Sequence, residues 1–221
     1  MIPVMAFTGT SGSGKTTLIE KVVKSLVARG YRVGTIKHHL KDIEVDREGK
    51  DSWRHRAAGA TATVISTPGG IASIRGEKSE MEPRDIIERY LYDSDIVIAE
   101  GYKHAGLPGI VVHREDSGAE FTLAESKKTV AVASDTEVDT GEIPRFDLDD
   151  SESITDFIVE KFIESRKSRR VHLFVNDKAL PMKTFVRDML EKTIRGMVSA
   201  FKGTENARKI TIIIEDIKRE E

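Results

Sequence analysis

Gly9-Thr10-Ser11-Gly12-Ser13-Gly14-Lys15-Thr16, with Thr17 behind it, carries the strongest chemical signal in this chain. These residues fill every position of the pattern G-x-x-x-x-G-K-[ST], whose chemistry is anion binding. The glycines let successive backbone N–H groups turn inward around a phosphate. A helix starting at the end of the loop adds the positive end of its dipole. Lys15 can reach the outer phosphates of a nucleoside triphosphate, and the Thr16 hydroxyl can ligate Mg²⁺. The flanks suit this reading. Residues 2–7 are apolar and predict a buried strand, and residues 16–29 carry Leu18, Val22, Val23, Leu26 and Val27 at helical spacing. Strand, glycine loop and helix in that order separate a phosphate loop from an ordinary glycine turn.

Further candidate groups must come from other strand ends. Glu100 closes the apolar run 95–99, and ligands of open α/β sheets gather outside the carboxyl ends of strands. A carboxylate there can hold Mg²⁺ or orient water, although an Asp is more usual at this step. Lys15, Glu100 and Asp46 are therefore the candidate catalytic groups, and Thr16 and Glu100 the candidate metal ligands. Segment 37–56 adds Lys37, His38, His39, Asp46, Asp51, Arg54, His55 and Arg56. Arg54 or Arg56 could meet a phosphate through two hydrogen bonds. Neighbouring histidines on a strand point to opposite faces, so His38 and His39 make no metal site by themselves. Lys103 follows closely behind Glu100, and Trp53 could stack on a ring or pack on the sheet. The guanine-reading order Asn-Lys-x-Asp is absent. Ala133-Ser134-Asp135, after a core strand, is better placed to touch a base than Asn176-Asp177-Lys178, which sits in a hairpin turn.

The positioning elements follow the same logic. Strands are expected at 31–37, 61–66, 71–75, 95–99, 110–113 and 129–133, with 61–66 and 71–75 joined as a hairpin through Thr67-Pro68-Gly69-Gly70. Short or full helices are expected at 51–58, 83–92 and 153–166, the last opened by a Ser153-x-x-Asp156 pair. Apolar strands alternating with helices predict an α/β domain over residues 1–166, a phosphate-loop fold whose mostly parallel sheet is covered on both faces. After the basic run 166–170, a hairpin (171–175 and 179–182), a helix (184–202) and a strand (210–214) predict a small α+β module over residues 171–221.

Composition narrows the function classes. The 221 residues are 33% charged with a formal net charge of −2, which argues against general nucleic-acid binding. There is no cysteine, which excludes disulfides and Cys-ligated metal sites. No apolar run approaches the roughly 20 residues of a membrane helix. The chain starts directly in its first strand without a basic region, so no signal peptide is expected and the cytoplasm is the expected compartment.

Several separated blocks resemble the MobB family of molybdopterin-guanine dinucleotide biosynthesis proteins. They are the loop Phe7-Thr-Gly-Thr-Ser-Gly-Ser-Gly-Lys-Thr-Thr17, Gly34-Thr-Ile-Lys-His-His39, Gly49-Lys-Asp-Ser-Trp-Arg-His55 with Gly59-Ala60, and Ala99-Glu-Gly-Tyr-Lys103 leading to Pro108. They cover roughly the first two-thirds of the chain, and the remainder resembles an extension carried by some relatives. The resemblance implies a GTP-binding accessory protein with weak GTPase activity, often dimeric. It would assist the guanylyltransferase that joins GMP to molybdopterin, among molybdopterin-bearing partners. It implies phosphates at Gly9, Thr10, Ser11, Gly12, Ser13, Gly14, Lys15, Thr16 and Thr17, and Mg²⁺ at Thr16 and Glu100. It also implies a second block near nucleotide or pterin: Lys37, His38, Asp51, Trp53 and Arg54, with Gly101 and Lys103.

Two other readings stand beside this one. An ATP-dependent small-molecule kinase would use Asp46 as base with Arg54 and Arg56 as clamps. Such an enzyme needs an arginine-bearing lid, and residues 115–128 contain no Arg. A nucleotide-gated adaptor would dock its partner on the module after residue 171.

Overall fold

The computed structural model describes residues 2–39, 46–77, 79–118, 120–121, 123, 128–164, 171, 173–176, 178–205, 207 and 210–214. The chain forms two compact units, Met1–Ser168 and Arg169–Glu221. In the first unit the elements are β1 (Val4–Thr8), α1 (Lys15–Ala28), β2 (Val33–Lys37), α2 (Asp51–Ala57), β3 (Ala62–Thr67), β4 (Gly70–Arg75), α3 (Pro83–Tyr90), β5 (Ile96–Glu100), β6 (Gly109–His113), β7 (Thr129–Ser134), β8 (Arg145–Asp147) and α4 (Ser151–Ile158).

Six strands make one parallel sheet in the order β2-β5-β1-β6-β7-β8. β1 lies inside the sheet; from it the chain crosses to β2 at one edge, returns to β5, and then runs outward on the other side through β6, β7 and β8. That reversal of strand order opens a crevice at the carboxyl end of β1, where an α/β sheet binds ligands. The two-residue period of the strands sorts the core into two faces. Met5, Phe7, Ile96, Ile98, Ile110 and Val112 pack with Leu18, Val22 and Leu26 of α1 and with Ile154 and Ile158 of α4. Val97 points the other way, clustering with Ile2 and with Ile87 of α3. Helices therefore cover both faces, as the near-continuous apolar strands imply.

Several local expectations change. Val27 is 55% exposed, so the buried stripe of α1 is Leu18, Ile19, Val22 and Leu26. α4 starts at Ser151 rather than Ser153, because the Asp150 side chain accepts from the Ser153 N–H at 3.0 Å and caps the helix. Asp156 instead accepts from Arg29, the C-cap of α1, at 2.5 Å, next to a 2.7 Å bond from Arg29 to Glu152. Exposed pairs of this kind add little, so the apolar seam is what joins α1 to α4. Beyond Ile158 the helix widens into a π turn, Val159–Ile163, and residues 165–166 lie outside the described residues. The three-residue β8 has no alternating pattern to betray it. Its place comes from pairing with β7. The expected hairpin 61–75 forms as β3 and β4, paired antiparallel in a sheet of their own.

In the second unit, β9 (Phe174–Val175) and β10 (Lys178–Ala179) pair antiparallel, and α5 (Thr184–Ser199) follows. The expected strand at 210–214 does not form among the described residues: those residues are irregular, pair with no described strand, and Ile212, Ile213 and Ile214 are exposed. β-branched composition favours extended backbone, but a strand also needs a neighbour to bond.

The α1 stripe can be checked by two substitutions at adjacent positions. Leu26→Ala is expected to lower stability by about 2–5 kcal/mol, as Leu26 is fully buried. Val27→Ala should cost less than about 0.5 kcal/mol. Urea midpoints of the two variants measure the difference.

Candidate functional site

The glycine loop owes its shape to backbone states that side chains resist. Gly9, Gly12 and Gly14 have φ of 144°, 79° and 89°. At Gly9 a Cβ would also come within 2.2 Å of the Val112 carbonyl oxygen, so only glycine lets the loop leave β1 against β6. Gly14 is the left-handed residue before α1. The first turn of α1 contains no acid and no side-chain cap, so its N–H groups and dipole end face the loop. The Lys15 ammonium folds back over the loop, donating to the Thr10 carbonyl and, at 3.4 Å, to Ser13 Oγ. Burial lowers its pKa. The Glu100 carboxylate opposes that shift and the nearby Lys37 adds to it.

Register brings the remaining chemistry to the loop. β5 lies between β1 and β2, with Glu100 opposite both Phe7 and Lys37. Thr16 Oγ1 donates to Glu100 Oε1 at 3.1 Å, and Lys37 Nζ lies 3.0 Å from the same oxygen. Thr16 and Glu100, the two candidate metal ligands, thus meet across 84 positions of sequence. Their hydroxyl and carboxylate oxygens are the donor types a hard divalent cation takes.

Directly after Glu100 the chain turns sharply. Gly101 and Tyr102 are both left-handed, with φ of 91° and 58°. For an aromatic residue this is uncommon and costs about 1–3 kcal/mol. The turn lays the Tyr102 ring against His38, with centroids 4.7 Å apart. The His38 N–H donates to the Glu100 carbonyl at 3.0 Å, and His38 Nε2 is 2.6 Å from Glu80 Oε1. Burial, then the charge of Glu80, raises the Tyr102 pKa. His39 is exposed, and Lys103 sits on the turn that follows. Among the described residues no group of three or more His, Asp or Glu is arranged to hold a metal.

Asp46, the third catalytic candidate, and the rest of the second block lie apart. Asp46 accepts from Ser52 Oγ at 2.9 Å and from Arg56 at 3.4 Å, so its carboxylate serves its own segment. Arg54 approaches Asp51 at 3.9 Å, and Trp53 is half-buried. Among the described residues, no hydrogen bond or ion pair links Asp46, Asp51, Trp53 or Arg54 to the loop or to Glu100. α2, which bears three of them, packs against β3.

One residue at the loop escapes the sequence reading. Arg114 follows β6, one position before the arginine-free segment 115–128. Its guanidinium lies 3.4 Å from where a Cβ on Gly14 would stand, and Nη1 is 3.8 Å from Asp135 Oδ2. The available signal was positional: a cation directly after the strand neighbouring the loop strand.

Comparison with known proteins agrees with this geometry. The family model described as molybdopterin guanine dinucleotide synthesis protein B matches residues 4–135. The molybdopterin-guanine dinucleotide biosynthesis adapter protein of Escherichia coli (strain K12) is 35% identical, over 72% of this chain and 93% of its own length. The putative adapter protein of Methanocaldococcus jannaschii is 25% identical over 96% of this chain and 97% of its own, so that match continues into the second unit. A crystal structure of molybdopterin-guanine biosynthesis protein B superposes with a TM-score of 0.56 at 35% identity, over 71% of this chain and 98% of that one. Bacillus subtilis MobB superposes with a TM-score of 0.59 at 25% identity, over 73% and 98%. With a phosphate-loop α/β fold and a family match spanning more than half its length, the chain belongs to the MobB family.

Proposed function

We propose that this chain is a GTP-binding, weakly GTP-hydrolysing adapter in molybdopterin guanine dinucleotide biosynthesis, a cytoplasmic homodimer that assists the guanylyltransferase joining GMP to molybdopterin. The observation that carries the nucleotide half is the convergence of Thr16, Lys37 and Glu100 at the mouth of the glycine loop. The pathway half rests on relatives that bear the adapter name.

The residues divide the work by chemistry. Backbone N–H groups of residues 9–17 receive the phosphates, and Lys15 moves from the Thr10 carbonyl to the outer phosphate oxygens. The incoming negative charge offsets the burial that depresses the Lys15 pKa. Thr16 and Glu100 would hold Mg²⁺, which when bound neutralises charge on the outer phosphates. Lys37, released from Glu100, then faces the terminal phosphate. Glu100 is the only carboxylate bonded to the loop among the described residues. With no second base there to activate water, turnover is slow and the nucleotide acts as a state marker for a partner. The unit after residue 168 is the partner-docking element in this scheme.

Calorimetry with GTP and ATP in magnesium tests the reading directly. GTP is expected to bind more tightly than ATP, and Lys15→Ala to weaken GTP by about 2–4 kcal/mol, a factor of about 30 to 700. Preferred ATP would move the assignment to a kinase. Glu100→Gln should leave thermal stability unchanged and weaken the magnesium enhancement of binding about 10- to 100-fold. Removal of residues 171–221 is expected to spare GTP binding and abolish capture of the guanylyltransferase, read by pull-down.

A further inference from the structure

The strand ends on the far side of β1 form a second chemical constellation. Glu100, Thr16 and Lys37 lie toward β5 and β2, so a triphosphate held by the loop has its metal-bearing end there. Its nucleoside must leave in the other direction, over the ends of β6, β7 and β8. Arg114 follows β6, Asp135 follows β7 and Leu148 follows β8. All three are held at the loop or beside it. The Arg114 Nη2 and Nε stand 3.4 and 3.5 Å from the Cβ position of Gly14, and Leu148 Cδ2 stands 3.7 Å from it. Asp135 is anchored by the Glu115 N–H, which donates to its Oδ1 at 3.0 Å. Its Oδ2 lies 3.8 Å from Arg114 Nη1, too far for a formed hydrogen bond. A row of guanidinium donors and a carboxylate acceptor therefore stand side by side at half-exposed positions, with the buried Leu148 beneath.

We propose that Arg114 and Asp135 read the base of the bound nucleotide and select guanine, an inference that rests on the phosphate-loop reading above. Guanine offers one acceptor, O6, next to two donors, N1–H and the N2 amine. Arg114 supplies the donor for O6 and Asp135 accepts from N1–H and N2. Adenine presents the reverse order, an N6 donor against the guanidinium and a bare N1 against the carboxylate. A polar site matched to one edge rejects the other by leaving charged groups unpaired. The pair thus does the task of the absent Asn-Lys-x-Asp order, with the cation contributed by the neighbouring strand instead of the same loop.

The competing role is a plain ion pair bracing the ends of β6 and β7, and base substitution separates the two. Binding of GTP, ATP and xanthosine triphosphate is measured by calorimetry on the full chain, with thermal melts for the fold. Asp135→Asn keeps the acceptor for the Glu115 N–H, and its amide can donate to the O2 of xanthine. It is expected to weaken GTP about 10-fold or more and to bind xanthosine triphosphate more tightly than GTP. Arg114→Met should weaken GTP, tighten ATP by removing the donor that faces its N6 amine, and so narrow the GTP-to-ATP ratio about 10-fold or more. An unaltered GTP-to-ATP ratio in both variants, or equal loss of all three nucleotides, overturns the base assignment while the phosphate loop stands. A wild-type chain that binds no triphosphate overturns both.

Discussion

The alignment of β5 between β1 and β2 is the constraint on which the site depends. Glu100 is the last residue of β5, and the ladder sets it opposite Phe7 and Lys37. Side chains alternate along a strand, so a slip of one residue would send Glu100 to the wrong face and bury a charge among Val97's neighbours. The apolar alternation prevents that slip: Ile96 and Ile98 serve the α1 face while Val97 serves the α3 face. Core packing and site geometry are thus one condition. The hydrophobic pattern that holds the strand also delivers a carboxylate within 3.1 Å of the Thr16 hydroxyl.

Around this fixed point the chain accepts unfavourable backbone to gain position. The left-handed glycines of the loop carry the helix terminus toward the crevice, and the close approach of Gly9 to Val112 sets the loop against β6. Two successive left-handed residues after Glu100 turn the ring of Tyr102 onto His38. Through His38 the end of β5 is bonded to Glu80, in the segment before α3. The end of β5 is thus joined, through the His38 backbone and ring, to a segment remote from the loop in sequence. The second unit has a different character. Phe185, Met197 and Phe201 on or beside α5 are exposed, as are the isoleucines at 212–214.

The local code was legible wherever one segment contained its whole instruction. The glycine loop, the six core strands except β8, and the β3–β4 hairpin can be read from spacing and turn residues. Where a second segment decides, the reading falls short. Asp150 rather than Ser153 caps α4, since both types suit a cap and only the helix start chooses between them. Residues 210–214 look like a strand but have no ladder partner among the described residues. Asp46 has the chemistry of a catalytic base, and only the fold shows that Ser52 and Arg56 bond its oxygens. Arg114 looks like any solvated arginine until β6 is placed beside β1 and Gly14 comes under its guanidinium.

By itself, then, the order of residues determined the glycine loop between β1 and α1, because glycine conformational freedom and a helix start are properties of adjacent positions. It likewise determined the α/β class, through the alternation of apolar runs and amphipathic helices. Which distant groups share the crevice was decided only in three dimensions. Thr16 with Glu100 and Lys37, His38 with Glu80, and Arg114 with Asp135 are brought together by strand order and by the close packing of helices on both faces of the sheet. Hydrogen bonds and ion pairs act over a few ångströms, and nothing in linear spacing encodes a distance that folding has yet to set.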